Sequence, residues 1–285
     1  MKVISTVKEI QKILGEQNKR PLGLVPTMGA LHKGHLSLIK SAVGECPQVV
    51  VSIFVNPTQF NDKNDLKSYP RDIPSDMKLL SGILRSDDII FTPAAEEIYP
   101  EEDKRQFHFG NLDNVMEALH RPGHFNGVAQ VVSRLFSILK PDIAWFGLKD
   151  FQQVAVIKDL VRQTGDTVRI ISKPIIREDD GLAMSSRNTL LSPEIRRKAP
   201  VIFNTLSAAA GMAGEKEIPR IKSFVENTIN KEKGFRVEYF EIVDDIELIP
   251  VKTRAEMIKG KRYYGCIAVM AGNIRLIDNI EFKLV

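Results

Sequence analysis

The chain has 285 residues, of which 43% are hydrophobic and 27% charged, a composition typical of folded globular proteins. Its 40 basic and 36 acidic side chains leave a formal net charge of +4, too small an excess to supply the phosphate contacts that nucleic-acid binding needs. Cys46 and Cys266 lie far apart and form no CxxC pair, so we expect neither a disulfide framework nor a thiolate metal site. These features predict a cytoplasmic protein without a nucleic-acid partner.

Neither a membrane span nor a secretion signal is expected. The longest apolar stretch, Val49 to Val55, has the length of a strand and is much shorter than the roughly 20 residues that cross a bilayer. Near the N-terminus, Lys8, Glu9 and Lys12 stand where a signal peptide would need an apolar run. We therefore predict no membrane partner.

The first 175 residues alternate short runs rich in Val, Ile and Phe with amphipathic stretches, which is typical of βα units around a parallel sheet. Thr6 and Glu9 form a capping box that opens the first helix. A longer helix is predicted from about Asn126 to Lys140, and its apolar stripe from Val128 to Leu139 predicts a buried helix and is also a candidate interface. The five predicted strands are Leu22 to Pro26, Val49 to Val55, Asp88 to Phe91, Ile143 to Phe146 and Val168 to Ile171.

The pattern changes after about residue 175. One helix is predicted from Ser192 and another from about Ile218 to Lys231. Alternating strands follow from Phe235 to Ile242, Gly265 to Met270 and Ile274 to Ile277, the last two joined at Gly272-Asn273. We therefore predict an α/β fold: a Rossmann-like doubly wound parallel sheet in a domain of residues 1–175, and a smaller α+β lid domain of residues 176–285 that closes over one site.

Two histidines follow the first predicted strand, at the carboxyl edge where open α/β sheets bind ligands. The run from Gly29 to His35 nearly matches a P-loop but lacks its Lys and its Ser or Thr. A helix beginning near Gly34 offers N–H groups to an anion, so His32 and His35 indicate an imidazole-lined phosphate site. Two solvated histidines are the alternative, and zinc is disfavoured because Lys33 replaces the Glu of an HExxH motif.

Two further polar segments are candidates for the same chemistry. Lys149 and Asp150 directly follow the fourth predicted strand, which places a cation and a carboxylate at the edge of the sheet. Ser185, Ser186 and Arg187 combine two hydroxyls with a guanidinium, a set suited to a polyphosphate. Taken singly, each segment is also compatible with an exposed polar turn.

Six segments in order resemble the pantothenate synthetase family, within the HxGH nucleotidylyltransferase and class I aminoacyl-tRNA synthetase superfamily. The resemblance implies an ATP-dependent ligase that condenses (R)-pantoate with β-alanine through a pantoyl-adenylate, releasing AMP and pyrophosphate. It also implies Mg²⁺ and a homodimer. The six segments are Pro26 to His35, Phe54 to Phe60, Tyr69 to Arg71, Gly123 to Val128, Lys149 to Gln153 and Met184 to Arg187.

The resemblance also assigns roles to residues at matching positions. His35 is the proton donor, with His32, Lys149 and Arg187 as further catalytic residues. Gln59 contacts pantoate and β-alanine, Gln153 binds pantoate, and Asp76 is a candidate Mg²⁺ ligand. Leu148 stands where the family commonly has Glu or Gln. The ATP site would comprise Met28, Gly29, Ala30, Leu31, His32, Lys33, Gly34, His35, Gly147, Leu148, Lys149, Asp150, Ile176, Met184, Ser185, Ser186 and Arg187.

Two other functions stay open at this point. A nucleotidylyltransferase that transfers AMP or CMP to a phosphate ester would share the HxGH motif. A nucleotide-binding or RNA-binding protein without turnover could retain the fold, although it has little physical need for His32, His35, Lys149 and Arg187 together. An aminoacyl-tRNA synthetase would need an anticodon-reading domain, for which the chain has no room.

Overall fold

The computed structural model describes residues 1–61 and 63–283. The chain divides into two compact units. The first consists of Met1–Phe109, Arg121–Leu148 and Val156–Pro174, and the second of Gly110–His120, Lys149–Ala155 and Ile175–Val285. Two short segments that precede residue 175 thus belong to the second unit. The predicted domain boundary between residues 175 and 176 stays a prediction.

The first unit contains a six-stranded parallel sheet in the order β1-β4-β3-β2-β5-β6, which confirms the predicted Rossmann-like class. The chain adds strands on one side of β2 as far as β4 and then crosses to β5 on its other side, so the topological switch point lies between β2 and β5. The short edge strand β1 was not predicted. The strands are β1 Lys2–Ile4, β2 Leu22–Thr27, β3 Gln48–Ile53, β4 Ile89–Phe91, β5 Ile143–Gly147 and β6 Arg169–Lys173.

Eleven α-helices occur within the described residues. As predicted, Thr6 caps the first helix, because its hydroxyl accepts a hydrogen bond from the Glu9 amide at 3.4 Å. In chain order the helices are α1 Val7–Gln17, α2 Lys33–Glu45, α3 Lys63–Ser68, α4 Ile73–Ser81, α5 Ala95–Ile98, α6 Met116–His120, α7 His124–Leu139, α8 Phe151–Thr164, α9 Pro193–Lys198, α10 Val201–Gly211 and α11 Ile218–Asn230.

The apolar stripe of α7 is buried inside the first unit. Val128, Val132, Leu135 and Leu139 are each at most 4% exposed, and helices α1 and α5 pack against α7. The chain's own packing therefore covers the stripe that the sequence offered as a candidate interface. A homodimer needs another surface.

The second unit is built on an antiparallel sheet of β7 Phe235–Asp244, β8 Tyr263–Ala271 and β9 Ile274–Phe282. Gly272 turns the chain between β8 and β9 with φ +60°, as its pairing with Asn273 predicted. Helices α10 and α11 cover the sheet. The helix predicted from Ser192 is interrupted, and α10 starts after Pro200, which has no N–H to continue the ladder.

A buried polar network attaches α6 and the start of α8 to the second unit. The Gln152 side chain accepts from the Glu117 amide at 3.0 Å and donates to the Leu112 and Val115 carbonyls. The Glu117 carboxylate accepts two hydrogen bonds of 2.7 Å from Arg275. These contacts explain why segments 110–120 and 149–155 group with the C-terminal part of the chain. Among the described residues no helix has the length and apolar character needed to cross a membrane.

Candidate active site

The loop after β2 has an unusual backbone. Gly29 and Ala30 both adopt left-handed conformations, with φ of +78° and +49°. A Cβ on Gly29 would lie 3.1 Å from both an Asp76 oxygen and an Ile53 methyl, so both conformation and space favour glycine. The loop then passes directly into α2, with His32 as the N-cap residue.

The two histidines close the N-terminus of α2 with a reciprocal capping box. His32 Nδ1 accepts from the Gly34 amide at 3.2 Å, and His35 Nδ1 accepts from the His32 amide at 3.3 Å. The ring centroids are 4.1 Å apart. Because a backbone amide can only donate, each neutral imidazole carries its proton on Nε2. The cap therefore gives the α2 N-terminus two imidazole N–H donors of fixed tautomer.

Asp76, predicted as a Mg²⁺ ligand, lies on α4 and is only 1% exposed. Its carboxylate accepts hydrogen bonds from the amides of Ala30 at 3.0 Å and Leu31 at 2.6 Å. Burial raises its pKa, and these two hydrogen bonds oppose the rise. A buried carboxylate occupied by backbone amides does not fit a hydrated Mg²⁺ ion. In the part of the chain that the structure describes, no group of three or more His, Cys, Asp or Glu could hold a metal.

Gln59, the predicted pantoate and β-alanine residue, is brought together with Met28. It ends a tight turn at Pro57–Gln59 and is 8% exposed. Its amide nitrogen donates to Met28 Sδ at 3.0 Å, and its amide oxygen accepts from Asn56 Nδ2 at 3.3 Å. The amide therefore has a defined orientation beside the loop that follows β2.

The backbone of Gln59 is held by α7. His124 Nδ1 lies 2.7 Å from the Gln59 carbonyl, and Arg121 lies 3.2 Å from His124 Nε2. Because a guanidinium only donates, Nε2 accepts and Nδ1 donates. A Cβ on Gly127 would lie 2.5 Å from the Thr58 carbonyl oxygen. The sequence singled out Gly123 to Val128 but gave it no role, and its signal was a His and a Gly three residues apart at a helix start.

Gly147 and Leu148 lie at the end of β5, in the same unit as the histidines. Strand β5 pairs with β2 in parallel, so the loops after both strands leave the same edge of the sheet. This is the switch point, where open α/β sheets bind ligands. The structure therefore places two of the predicted ATP-binding segments at adjacent strand ends.

In the second unit, Lys149 is held by both its backbone and its side chain. Its carbonyl accepts from Asn279 Nδ2 at 3.2 Å, and its ammonium lies 3.3 Å from an Asp150 oxygen. Gln153 is half-buried on the first turn of α8, next to the buried Gln152. The predicted cation and the predicted amide thus lie one turn apart on neighbouring segments of the chain.

The segment from Ile176 to Arg187 forms a short hairpin and a tight turn. The Met184 amide donates to the Ile176 carbonyl at 3.0 Å, and Ser185 caps the next turn by accepting from the Arg187 amide at 3.3 Å. Arg177 fixes the hairpin with hydrogen bonds of 2.7 and 3.0 Å to Asp278. Burial raises the pKa of Asp278, and Arg177 opposes the rise. Sequence reasoning missed this ion pair, which joins residues far apart in the chain.

All predicted site residues lie within the described part of the chain, and each unit holds a defined set of them. The first unit holds Met28 to His35, Gln59, Asp76, Gly147 and Leu148, and the second holds Lys149, Asp150, Gln153, Ile176 and Met184 to Arg187. Their assignment to substrates stays a prediction.

Known proteins match this chain over almost its whole length. The family model for pantoate-beta-alanine ligase covers residues 2–281. A pantothenate synthetase of Bacteroides fragilis is 50% identical, with 99% of both chains covered. A crystal structure of pantothenate synthetase from Thermus thermophilus is 41% identical at a TM-score of 0.90, with 99% of both chains covered.

A further solved structure contains ligands. It is the pantoate-beta-alanine ligase of Francisella tularensis complexed with beta-gamma ATP and beta-alanine, 33% identical at a TM-score of 0.80, with 98% of this chain and 97% of that chain covered. These matches confirm the resemblance to the family. The chain belongs to the pantoate–β-alanine ligase family.

Proposed function

We propose that this chain catalyses the ATP-dependent condensation of (R)-pantoate with β-alanine to pantothenate. Family membership supports this activity, and the Francisella relative with its nucleotide and β-alanine supports two of the three substrates. The geometry that carries the proposal is the capping box of α2, because it leaves His32 and His35 as Nε2–H donors. Neutral donors of fixed tautomer suit an oxygen that gains charge during reaction.

The first step activates the pantoate carboxylate. A carboxylate oxygen attacks the α-phosphorus of ATP, the bond to the β-phosphate oxygen breaks, and pyrophosphate leaves with the negative charge. His35 donates a hydrogen bond from Nε2 to the departing oxygens, and His32 supports it. Stabilisation of a developing charge by one fixed donor is worth about 3 kcal/mol.

Two basic side chains are the candidates for the permanent positive charge in this step. We propose that Lys149 and Arg187 bind phosphate oxygens, with the Ser185 and Ser186 hydroxyls as further donors. The Lys149 side chain is 20% exposed, so its charge is only partly screened by water. The hydrogen bond from Asn279 to the Lys149 carbonyl fixes the backbone from which that side chain extends.

The second step forms the amide. The neutral amine of β-alanine attacks the acyl carbon, the bond between that carbon and the phosphate oxygen breaks, AMP leaves with the electron pair, and the nitrogen releases one proton to solvent. Gln59 and Gln153 hydrogen-bond hydroxyl and carboxylate oxygens without adding charge. Gln59 suits this role because Met28 and Asn56 fix the orientation of its amide.

We further propose Mg²⁺ as the ion that accompanies ATP; the burial of Asp76 and its two hydrogen bonds to backbone amides support a different role for that carboxylate. The proposed setting is the cytoplasm and the proposed assembly a homodimer, without a nucleic-acid partner. Two free, buried cysteines are compatible with a reducing compartment. Burial raises the pKa of the Cys46 thiol to about 11, which keeps it protonated and unreactive.

Isotope exchange between ATP and pyrophosphate tests the proposal. The purified chain should catalyse exchange when pantoate is present and β-alanine absent, and should form AMP and pantothenate once β-alanine is added. An exchange rate that is independent of pantoate and is raised by a phosphate ester would instead support a nucleotidylyltransferase. No AMP formation with all three substrates would refute the proposed ligase.

A further inference from the structure

The loop between β2 and α2 forms a small anion-binding concavity that the chain fills itself. Gly29 and Ala30 have positive φ angles of +78° and +49°, and the two amides that follow, those of Ala30 and Leu31, donate to the same carboxylate. The groups that converge are the amides of Ala30 and Leu31, and the anion between them is the Asp76 carboxylate, at 3.0 and 2.6 Å.

We propose that Asp76 is a positioning residue for ATP binding and not a metal ligand. Its two oxygens hold the Gly29–Leu31 loop, and the loop sets where α2 begins and where His32 and His35 stand. The proposal rests on the proposed function only in taking ATP as the ligand of this loop. It accounts for a carboxylate at 1% exposure, which would otherwise be an unexplained buried charge.

A metal role would require a different environment. Mg²⁺ binds at roughly 2.0–2.1 Å in an octahedron and usually keeps several waters, whereas both Asp76 oxygens are engaged by backbone amides in a buried site. Each Asp76 oxygen keeps a second lone pair, but at 1% exposure a hydrated ion could reach it only if the loop moved away. Holding the loop and holding the metal are thus competing roles for one side chain.

Asp76→Asn separates these roles with a minimal change of shape. Asparagine offers one carbonyl oxygen, and its NH₂ group would face a backbone N–H, so one loop amide loses its acceptor. Asp72→Asn is the matched control. Asp72 caps the same helix, accepting from the Ser75 amide at 3.0 Å and from the Ser75 hydroxyl at 2.7 Å. Because asparagine is as good an N-cap as aspartate, this replacement reports the loss of one negative charge at the start of α4 while both Asp76 hydrogen bonds stay in place.

The first measurement is amide hydrogen exchange by NMR on the full chain without substrates. We expect Ala30 and Leu31 to exchange at least about 10-fold faster in Asp76→Asn, the effect of losing a hydrogen bond to a charged acceptor. Asp72→Asn should leave both rates unchanged. Unchanged protection in Asp76→Asn would overturn the proposal. Since no substrate is present, this result is independent of whether the ligase activity is confirmed.

The second measurement separates positioning from metal binding. We expect ATP in EDTA to bind Asp76→Asn about 10-fold more weakly than Asp72→Asn, the same hydrogen-bond loss, and the Mg²⁺ concentration for half-maximal turnover to stay the same. A shifted Mg²⁺ requirement with unchanged metal-free ATP binding would make Asp76 a metal ligand and refute the proposal. If Asp76→Asn does not fold, Gly29→Ala tests the same contact, because its Cβ would lie 3.1 Å from an Asp76 oxygen. Weaker metal-free ATP binding would then support the proposal, and a shifted Mg²⁺ requirement with unchanged metal-free ATP binding would refute it.

Discussion

Replacing Gly127 with alanine tests whether α7 sets the position of Gln59. The new Cβ would lie 2.5 Å from the Thr58 carbonyl oxygen, 2.6 Å from the Thr58 carbonyl carbon and 2.7 Å from the Gln59 nitrogen. All three atoms belong to the backbone, so no side-chain rotation relieves the overlap. Either the turn that carries Gln59 or helix α7 has to move.

The size of the shift follows from these distances. An ordinary close C···O contact is about 3.3 Å, so the Thr58 oxygen must retreat by about 0.8 Å. The Asn56 hydrogen bond to the Gly127 carbonyl, 3.0 Å long, would stretch with it. Overpacking of this kind costs about 1–3 kcal/mol, and alanine regains about 0.5–1 kcal/mol of helix propensity, leaving a net loss between about zero and 2.5 kcal/mol.

Steady-state kinetics measure the functional consequence. Because a misplacement of about 1 Å can cost about 100-fold in rate, we expect kcat/KM for pantoate to fall by about that factor in Gly127→Ala. The KM for ATP should change by less than about twofold. Gly15→Ala is the matched control: Gly15 is also helical, nothing lies within 4 Å of its added Cβ, and its replacement should be neutral or slightly stabilising.

Wild-type kinetics for pantoate in Gly127→Ala, together with unchanged urea unfolding, would refute the reasoning. That result would mean that the turn carrying Gln59 yields without cost, or that Gln59 does not contact pantoate. Equal losses for ATP and pantoate would point to general unfolding rather than a displaced Gln59.

Three further predictions concern single side chains. His35→Ala should lower the rate of ATP–pyrophosphate exchange by about 100-fold, equivalent to about 3 kcal/mol; near-normal exchange would remove His35 from the reaction. Arg275→Met should destabilise the fold by about 3–5 kcal/mol in urea unfolding, because it leaves the buried Glu117 carboxylate without its cation. Arg262→Met is the control: the Arg262 side chain is 63% exposed in its ion pair with Asp245, so its loss should cost less than about 1 kcal/mol. Hydrogen bonding from Arg105 holds the pKa of Asp103 below its ordinary value. The ionised Asp103 carboxylate therefore stabilises the fold fully above about pH 4, the pKa of Asp103 in the unfolded chain. This stabilisation is lost as the pH falls through the lower pKa of Asp103 in the folded chain. The stability gap between wild type and Asp103→Asn should therefore close as the pH falls below about 4, and a gap that persists in acid would contradict this assignment.

The sheet could be predicted where strands are long and apolar, as at Val49 to Val51. Strand β1 was missed because three residues are too few to show a period of two, and its pairing with β4 is long-range. The apolar pattern continues on both sides of Pro200, so it does not reveal the break between α9 and α10. Propensity and periodicity act over a few residues, and these features depend on distant partners.

For the candidate site, the sequence identified side chains but not what holds them. His32 and His35 were placed at the start of α2, where they lie. The helix cap formed by their Nδ1 atoms depends on the positive φ angles of Gly29 and Ala30. The spacing of residues in the sequence does not reveal those angles. The resemblance to the family predicts Asp76 as a Mg²⁺ ligand, whereas its hydrogen-bond partners are backbone amides of the loop, which the sequence does not reveal.

The contribution of residues 110–120 to the second unit bears on how the protein folds during synthesis. Glu117 pairs with Arg275 across 158 positions, so it leaves the ribosome long before its partner exists. Until strand β9 is synthesised, the Glu117 carboxylate has to remain hydrated, and the second unit cannot complete its folding. We expect a chain truncated before β9 to expose α6 to proteases, and a C-terminal fragment starting at residue 176 to fail as an independent folding unit.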